Sequence, residues 1–176
     1  MISETKSLST IKEQLDTLPA WEGMSPDTRI WIYASNRPFT PEEEEQVTPH
    51  LEAFARQWAS HNVQLHAWGG ILFNQFVVLA VDESRQDASG CSIDTSVRYL
   101  RSLESALGID LFDRWNFHFM EDDAVKTLPK EEFAAAFRSG RIQDDTLVFD
   151  HLVNTLGKLK ESWIKPFGQS WHRRFV

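Results

Sequence analysis

An α+β fold with a ferredoxin-like βαββαβ core is predicted by the order of the apolar patterns: strand, helix, strand, strand, helix, strand. Two runs, residues 29–34 and 76–81, are apolar on both faces, as central strands are. Two others, 64–73 and 115–119, alternate apolar and polar, as edge strands do. The topology places the first and third strands at the centre and the second and fourth at the edges, in agreement with these patterns.

The first strand, Arg-Ile-Trp-Ile-Tyr-Ala over 29–34, is rich in β-branched and aromatic residues. The helix after it carries the strongest start signal: Thr40 as N-cap, Pro41 at the first helical position and Glu43 closing a capping box. The four glutamates 42–45 read as a solvated first turn at the positive end of the dipole, not as a metal site. Val47, Leu51, Phe54, Ala55 and Trp58 then repeat at helical spacing until His61-Asn62. In the second strand Leu65, Ala67, Ile71 and Phe73 share a face, and Gly69-Gly70 signals a bulge or a close backbone approach. Asn74-Gln75 makes a tight connection to the third strand. After the 84–90 loop, Ile93, Val97, Leu100, Leu103 and Leu107 mark a second helix stopped by Gly108. Trp115, Phe117 and Phe119 alternate with Asn116 and His118 in the fourth strand.

Two segments flank this core. Residues 1–28 form an N-terminal arm with a weak amphipathic helix on Ile11, Leu15 and Leu18, broken by Pro19. Residues 123–176 form a C-terminal extension, helical or irregular: a helix over 130–138 stopped by Gly140, a strand or turn over 146–153, and a short helix over 158–164 ended by Pro166. The sheet face expected to carry Trp31, Tyr33, His66, Trp68, Leu79 and His118 must be covered. The extension packed on the sheet, within one domain spanning 29–176, supplies the cover, or a second copy does in a homodimer. The aromatic and basic ending Ser-Trp-His-Arg-Arg-Phe, 170–175, is expected to dock against the acidic body.

The chain has 176 residues, 41% hydrophobic and 12% aromatic, enough for one well-buried core. A formal charge of -8 argues against affinity for nucleic acid or anionic membranes, so neither partner is expected. A lone cysteine excludes an internal disulfide, no apolar leader follows a basic start, and no apolar run nears the roughly 20 residues of a membrane span. A soluble cytoplasmic protein, monomer or homodimer, is expected. Its six histidines show no paired helical spacing and one thiol cannot complete a zinc cage, so no metal and no cofactor are expected.

The most informative stretch is Ser-Gly-Cys-Ser-Ile-Asp, 89–94, at the predicted start of the second helix. Unpaired helix amides and the dipole favour a bound anion or a thiolate there. Three readings follow. Ser89, Gly90, Ser92 and Asp94 could hold a small anionic or polar ligand in a binding or accessory domain. Cys91 could be the nucleophile of a thiol-dependent enzyme with His61 as its base, since the loops carrying both emerge at the same end of the sheet. Or the motif could only start a helix, with Ser89, Ser92 and Asp94 as capping residues and Gly90 supplying a positive φ, the protein then acting through protein–protein interaction. The first and third, both non-catalytic, are preferred. A second rim at the other end of the sheet gathers Asn36, Arg37, Asp113 and Arg114, with an Arg37–Asp113 ion pair expected.

Several stretches together resemble a small Bacteroidetes family without established activity that is often labelled an ABC transporter ATPase. They are residues 31–39, Trp58 to His61, 89–94, Asp113-Arg114, Val148-Phe149 and the 170–175 ending. The likeness runs from about residue 29 to 176. Its label implies a phosphate-cradling Gly-x-x-x-x-Gly-Lys-Ser/Thr. The single Gly-Lys, Gly157-Lys158, is followed by Leu159 and has Leu152 where the first glycine belongs, so the sequence does not support an ATPase.

Overall fold

The split βαβ pattern forms for three strands, and the fourth joins a different sheet. A computed structural model describes residues 6–176, so residues 1–5 of the arm lie outside the described residues. The elements run α1 (Leu8–Asp16), β1 (Arg29–Ala34), α2 (Pro41–Gln57), β2 (Ala59–Ser60), β3 (Val63–Gln64), β4 (His66–Leu72), β5 (Phe76–Asp82) and α3 (Gly90–Leu107). They continue with β6 (Asn116–Glu121), β7 (Ala124–Pro129), α4 (Lys130–Arg138), β8 (Leu147–Phe149), α5 (Leu156–Ser162) and β9 (Ile164–Pro166). Single 3-10 turns occur at Pro19–Trp21, Phe167–Gln169 and Trp171–Phe175.

The fold is α+β, and the chain forms two compact units instead of a core with an extension. Gly23–Asp113 with Asn154–Gly157 makes one; Arg114–Val153 and Lys158–Val176, with the described part of the first 22 residues, make the other.

In the first unit the sheet order is β1-β5-β4, all antiparallel, with β5 central. The outer edge of β1, where a fourth ferredoxin-like strand would lie, is met by the short 154–157 segment: Arg29 bridges Thr155, and the Ile30 amide donates to the Asn154 carbonyl at 3.0 Å. The expected four-stranded sheet is therefore not what forms. β6 pairs instead with β7 across a two-residue turn, Asp122-Asp123, whose residues both hold left-handed φ (53° and 59°). That is the pair of conformations a primed hairpin turn needs. A partner two residues away costs far less loop-closure entropy than one across the whole chain. The same device closes β2 onto β3 at His61-Asn62 (51°, 63°), and a left-handed pair, Phe73-Asn74 (53°, 54°), opens the three-residue connection from β4 to β5.

Helices α2 and α3 cover one face of the sheet. Val47 and Leu51 of α2, Trp58 just after its end and Leu100 of α3 share a core with Val77, Leu79 and Val81 of β5. Trp31, Tyr33 and Leu79, expected on the far face, lie on this one: the Trp31 ring is 5.7 Å from Trp58 and Tyr33 is 5.2 Å from Phe112. Glycine sets the phase. Gly69 pairs with Leu79 on that face, and a Cβ built on Gly69 would lie 3.2 Å from the Leu51 carbonyl, so α2 approaches β4 where a side chain is missing. Strand alternation then sends Ile30, Phe76, Val78, Ala80, His66 and Trp68 to the opposite face. There the Trp68 ring lies over Gly70, 2.4 Å from where a Cβ would be. The Gly69-Gly70 pair is thus a close approach on both faces.

The second unit is built on the sheet β7-β6-β8-β9. Phe117 and Phe119 of β6 and Val148 of β8 pack on one face with Phe133 and Ala136 of α4, Ile142 and Phe167. His118 and Phe149, one residue out of phase, point to the other face. The arm's helix belongs here: Ile11 and Leu15 of α1 are buried, and the Leu15 carbonyl accepts the Trp21 indole N–H at 2.6 Å.

Gly70→Ala should lower the unfolding free energy by about 1–3 kcal/mol, because the new methyl must displace the Trp68 ring. Gly90, with open space around its Cβ position, should accept alanine within about 0.5 kcal/mol. Urea unfolding of the two variants checks both values, and equal stabilities would contradict the Trp68–Gly70 packing.

Candidate functional site

The 89–94 motif folds as a helix start. Ser89 Oγ accepts the Ser92 amide at 3.2 Å, and Ser92 Oγ accepts the Ser89 amide at 2.8 Å, a reciprocal capping box. Ser92 is buried, and its carbonyl accepts the Trp58 indole N–H at 2.8 Å, which ties the end of α2 to the start of α3. Gly90 does not hold a positive φ. Its side of the helix start is open because Gly90, Cys91 and Asp94 are exposed. His61 is exposed at the tip of the β2–β3 turn, where its left-handed backbone serves the hairpin. The Trp58–Ser92 bond brings that turn and Cys91 to the same end of the unit. Among the described residues no hydrogen bond joins Cys91 to His61.

At the second rim, Asn36 and Asp110 exchange bonds: the Asn36 amide donates to the Asp110 carbonyl at 3.0 Å, and Asn36 Oδ1 accepts the Asp110 amide at 2.9 Å. Arg37 forks onto both Glu43 oxygens at 2.8 Å and donates to the Leu107 carbonyl at 3.0 Å. It thereby joins the first turn of α2 to the last turn of α3, where orphan carbonyls favour a cation. The Arg37 hydrogen bonds, then the Thr40 amide, hold the Glu43 carboxyl down at about 2. Arg37 therefore takes Glu43, not Asp113, as its ion-pair partner. The capping box fixes Glu43 six residues away, in position to receive the fork. Arg114 is exposed and belongs to the other unit.

The second unit holds a polar network that sequence spacing does not reveal. Asp150, at the end of β8, accepts Lys165 Nζ at 2.8 Å on one oxygen, and the Trp171 indole N–H at 2.8 Å and Leu152 amide at 3.0 Å on the other. Burial opposes its charge, yet Lys165 and the two N–H donors outweigh burial and hold its carboxyl below the ordinary value. Trp163 donates its indole N–H to His151 Nδ1 at 3.1 Å, and His151 Nε2 lies 3.1 Å from His118 Nδ1. Indole nitrogen only donates, so His151 Nδ1 accepts, its proton sits on Nε2, and that proton points at His118. The His151 ring is thereby neutral. Burial first, then the neighbouring His118, pushes His151 well below an ordinary histidine, and burial pushes His172 down to about 4.

The 170–175 ending docks in this unit, as its composition suggests. His172 is buried between Phe117 and Phe133 with Nδ1 2.6 Å from Ser170 Oγ, Trp171 is held by Asp150, and Arg173 faces Asp144 at 3.6 Å. Phe175 then meets Trp115 edge to face, centroids 6.4 Å apart and planes at 86°. Trp115 is 61% exposed although it is one of the largest apolar side chains. Lys130 Nζ lies 5.1 Å from the Trp115 ring and 5.4 Å from that of Phe175, placed there because the Lys130 amide donates to the Trp115 carbonyl at 2.9 Å. Arg114 and Arg174, next in sequence to the two rings, are exposed and enter no ion pair among the described residues. The result is an aromatic ledge with the Lys130 ammonium over its rings. Its sequence signal was the phase of Trp115, which matches Phe117 and Phe119 but falls outside the strand.

Among the described residues no three His, Cys, Asp or Glu side chains converge as a metal site, and no helix is long and apolar enough to cross a membrane. No protein-family model, curated protein or solved structure matches the chain.

The lowered histidines make stability depend on pH with a definite sign. The unfolded chain, with ordinary values near 6.5, takes up protons that the native state refuses. Stability is therefore full above about pH 6.5 and falls toward about pH 4, by up to about 1.4 kcal/mol per pH unit for each histidine. Urea unfolding at about pH 7 and about pH 5 should show the loss, and His172→Gln should make it shallower. Equal stabilities at the two pH values would contradict neutral, buried rings.

Proposed function

We propose that the protein works by binding a partner and not by catalysis, and that its recognition surface is the ledge of Trp115, Phe175 and Lys130. The observation that carries this reading is Trp115 itself: an indole 61% exposed, yet held by its neighbours Phe175 and Lys130. A rigid aromatic with a cation at its face contributes large contact area at little entropic cost, which is why such groups dominate binding hot spots. The 89–94 motif needs no ligand to account for its residues. Ser89 and Ser92 are spent on capping, and Cys91 and His61 are solvent-facing groups at one end of the first unit. A water-exposed, cytoplasmic setting suits both the ledge and an exposed thiol.

The probe that tests the surface is 8-anilinonaphthalene-1-sulfonate, an aromatic anion that matches ring and cation together. Native protein should bind it saturably near neutral pH, Trp115→Ala should weaken binding roughly tenfold, and Lys130→Gln should weaken it less. Cys91→Ser should leave it unchanged. Binding undiminished in both ledge variants, with circular dichroism showing them folded, would sink the reading.

A further inference from the structure

Building on that reading, we infer that the ledge takes an acidic peptide segment of another protein, one with an aromatic or large aliphatic side chain flanked by carboxylates. Three features select this class. The apolar floor is small, one exposed indole and the half-buried Phe175 standing edge-on to it, so it accommodates a single large side chain, not an extended apolar helix. The cation placed at the rings is Lys130, which stands over both and meets Glu131 at 3.7 Å, and the exposed Arg114 and Arg174, next in sequence to the two rings, enter no ion pair among the described residues. Arg173, by contrast, faces Asp144 and is not part of the rim.

The third feature is how quickly the positive charge ends. Glu131, paired loosely with Lys130 at 3.7 Å, is itself strongly exposed, Glu132 follows it, and the chain carries -8 overall. A nucleic acid strand, with a phosphate at every step, would run off three cations onto repelling carboxylates. A peptide with a few carboxylates around one anchor ends where the cations end, and the surrounding negative field rejects longer polyanions, which makes the acidic border a specificity element. Binding of this kind places the anchor side chain against Trp115 and the flanking carboxylates within reach of Lys130, Arg114 and Arg174.

The test uses three capped peptides on the full chain, Glu-Glu-Phe-Glu-Glu, Gln-Gln-Phe-Gln-Gln and Glu-Glu-Ala-Glu-Glu, with oligo-deoxythymidine as the competing class. Tryptophan fluorescence and calorimetry read the affinities. The first peptide should bind roughly tenfold or more tightly than either control, losing its advantage over the glutamine peptide as salt rises. Trp115→Ala should reduce that affinity roughly tenfold, and Lys130→Glu with Arg174→Glu, both at exposed or rim positions, should abolish the preference for glutamate while the protein stays folded. Equal affinity for the glutamate and glutamine peptides, or tighter binding of the oligonucleotide, overturns the acidic-peptide assignment. So does concentration-dependent dimerisation that buries Trp115 and excludes the peptide. If the sulfonate dye binds at Trp115 and none of the peptides does, the ledge stands and the partner class falls; if the dye is indifferent to Trp115, the ledge itself falls.

Discussion

The constraint on which the rest of this structure depends is the left-handed pair Asp122-Asp123. It turns the chain back after β6 and gives that strand a partner only two residues away in sequence. Short asparagine- and aspartate-rich turns tolerate positive φ because a small polar side chain adds little steric cost there. Once β6 and β7 are joined, β8 and β9 extend the new sheet, and the first sheet remains three-stranded with only the 154–157 segment against its open edge. A chain that reads as a βαββαβ core with an arm and a C-terminal extension forms two compact units.

Each unit solves its own polar problem differently. In the first, the awkward groups are helix ends, and they are satisfied locally: a capping box at each of α2 and α3, and Arg37 clamping Glu43 and the last carbonyls of α3 together. In the second, the polar groups are buried side chains. Asp150 is tolerated because Lys165, Trp171 and the Leu152 amide use both of its oxygens, and His151 because Trp163 fixes its tautomer. A buried charge left with part of this set would cost more than the network contributes, so the cluster acts as a unit that holds the 170–175 ending in one place. Holding that ending is what sets Phe175 against Trp115.

The two candidate locations differ in what their residues still have to do. At 89–94, backbone and hydroxyl groups answer one another, leaving an exposed thiol as the feature without a structural task. At the ledge, the structure maintains an exposed indole, orients it and places a cation over it, at a cost in apolar exposure that packing does not recover. That asymmetry is why the proposed recognition surface lies there, in a unit whose apolar and basic residues looked, in sequence, like a covering extension.

Sequence by itself determined the elements whose signals are local. The Thr40 capping box, the Gly108 stop, the 130–138 helix and the apolar run of β5 all arise within a few residues, and each is where spacing and capping chemistry put it. Gly69-Gly70 was legible as a close approach, but not which partner approached: Leu51 on one face belongs to a helix well before it in sequence, while Trp68 on the other is its neighbour along the same strand. The phase of β1, the desertion of β6 and the meeting of His118 with His151 were decided by tertiary structure. Alternation shows that a strand has two faces without saying which one the helices cover, and histidines 33 residues apart carry no common period. The ledge belongs to the same class, since Trp115, Lys130 and Phe175 become neighbours only after a β-hairpin and a docked terminus have brought three separate segments to one edge.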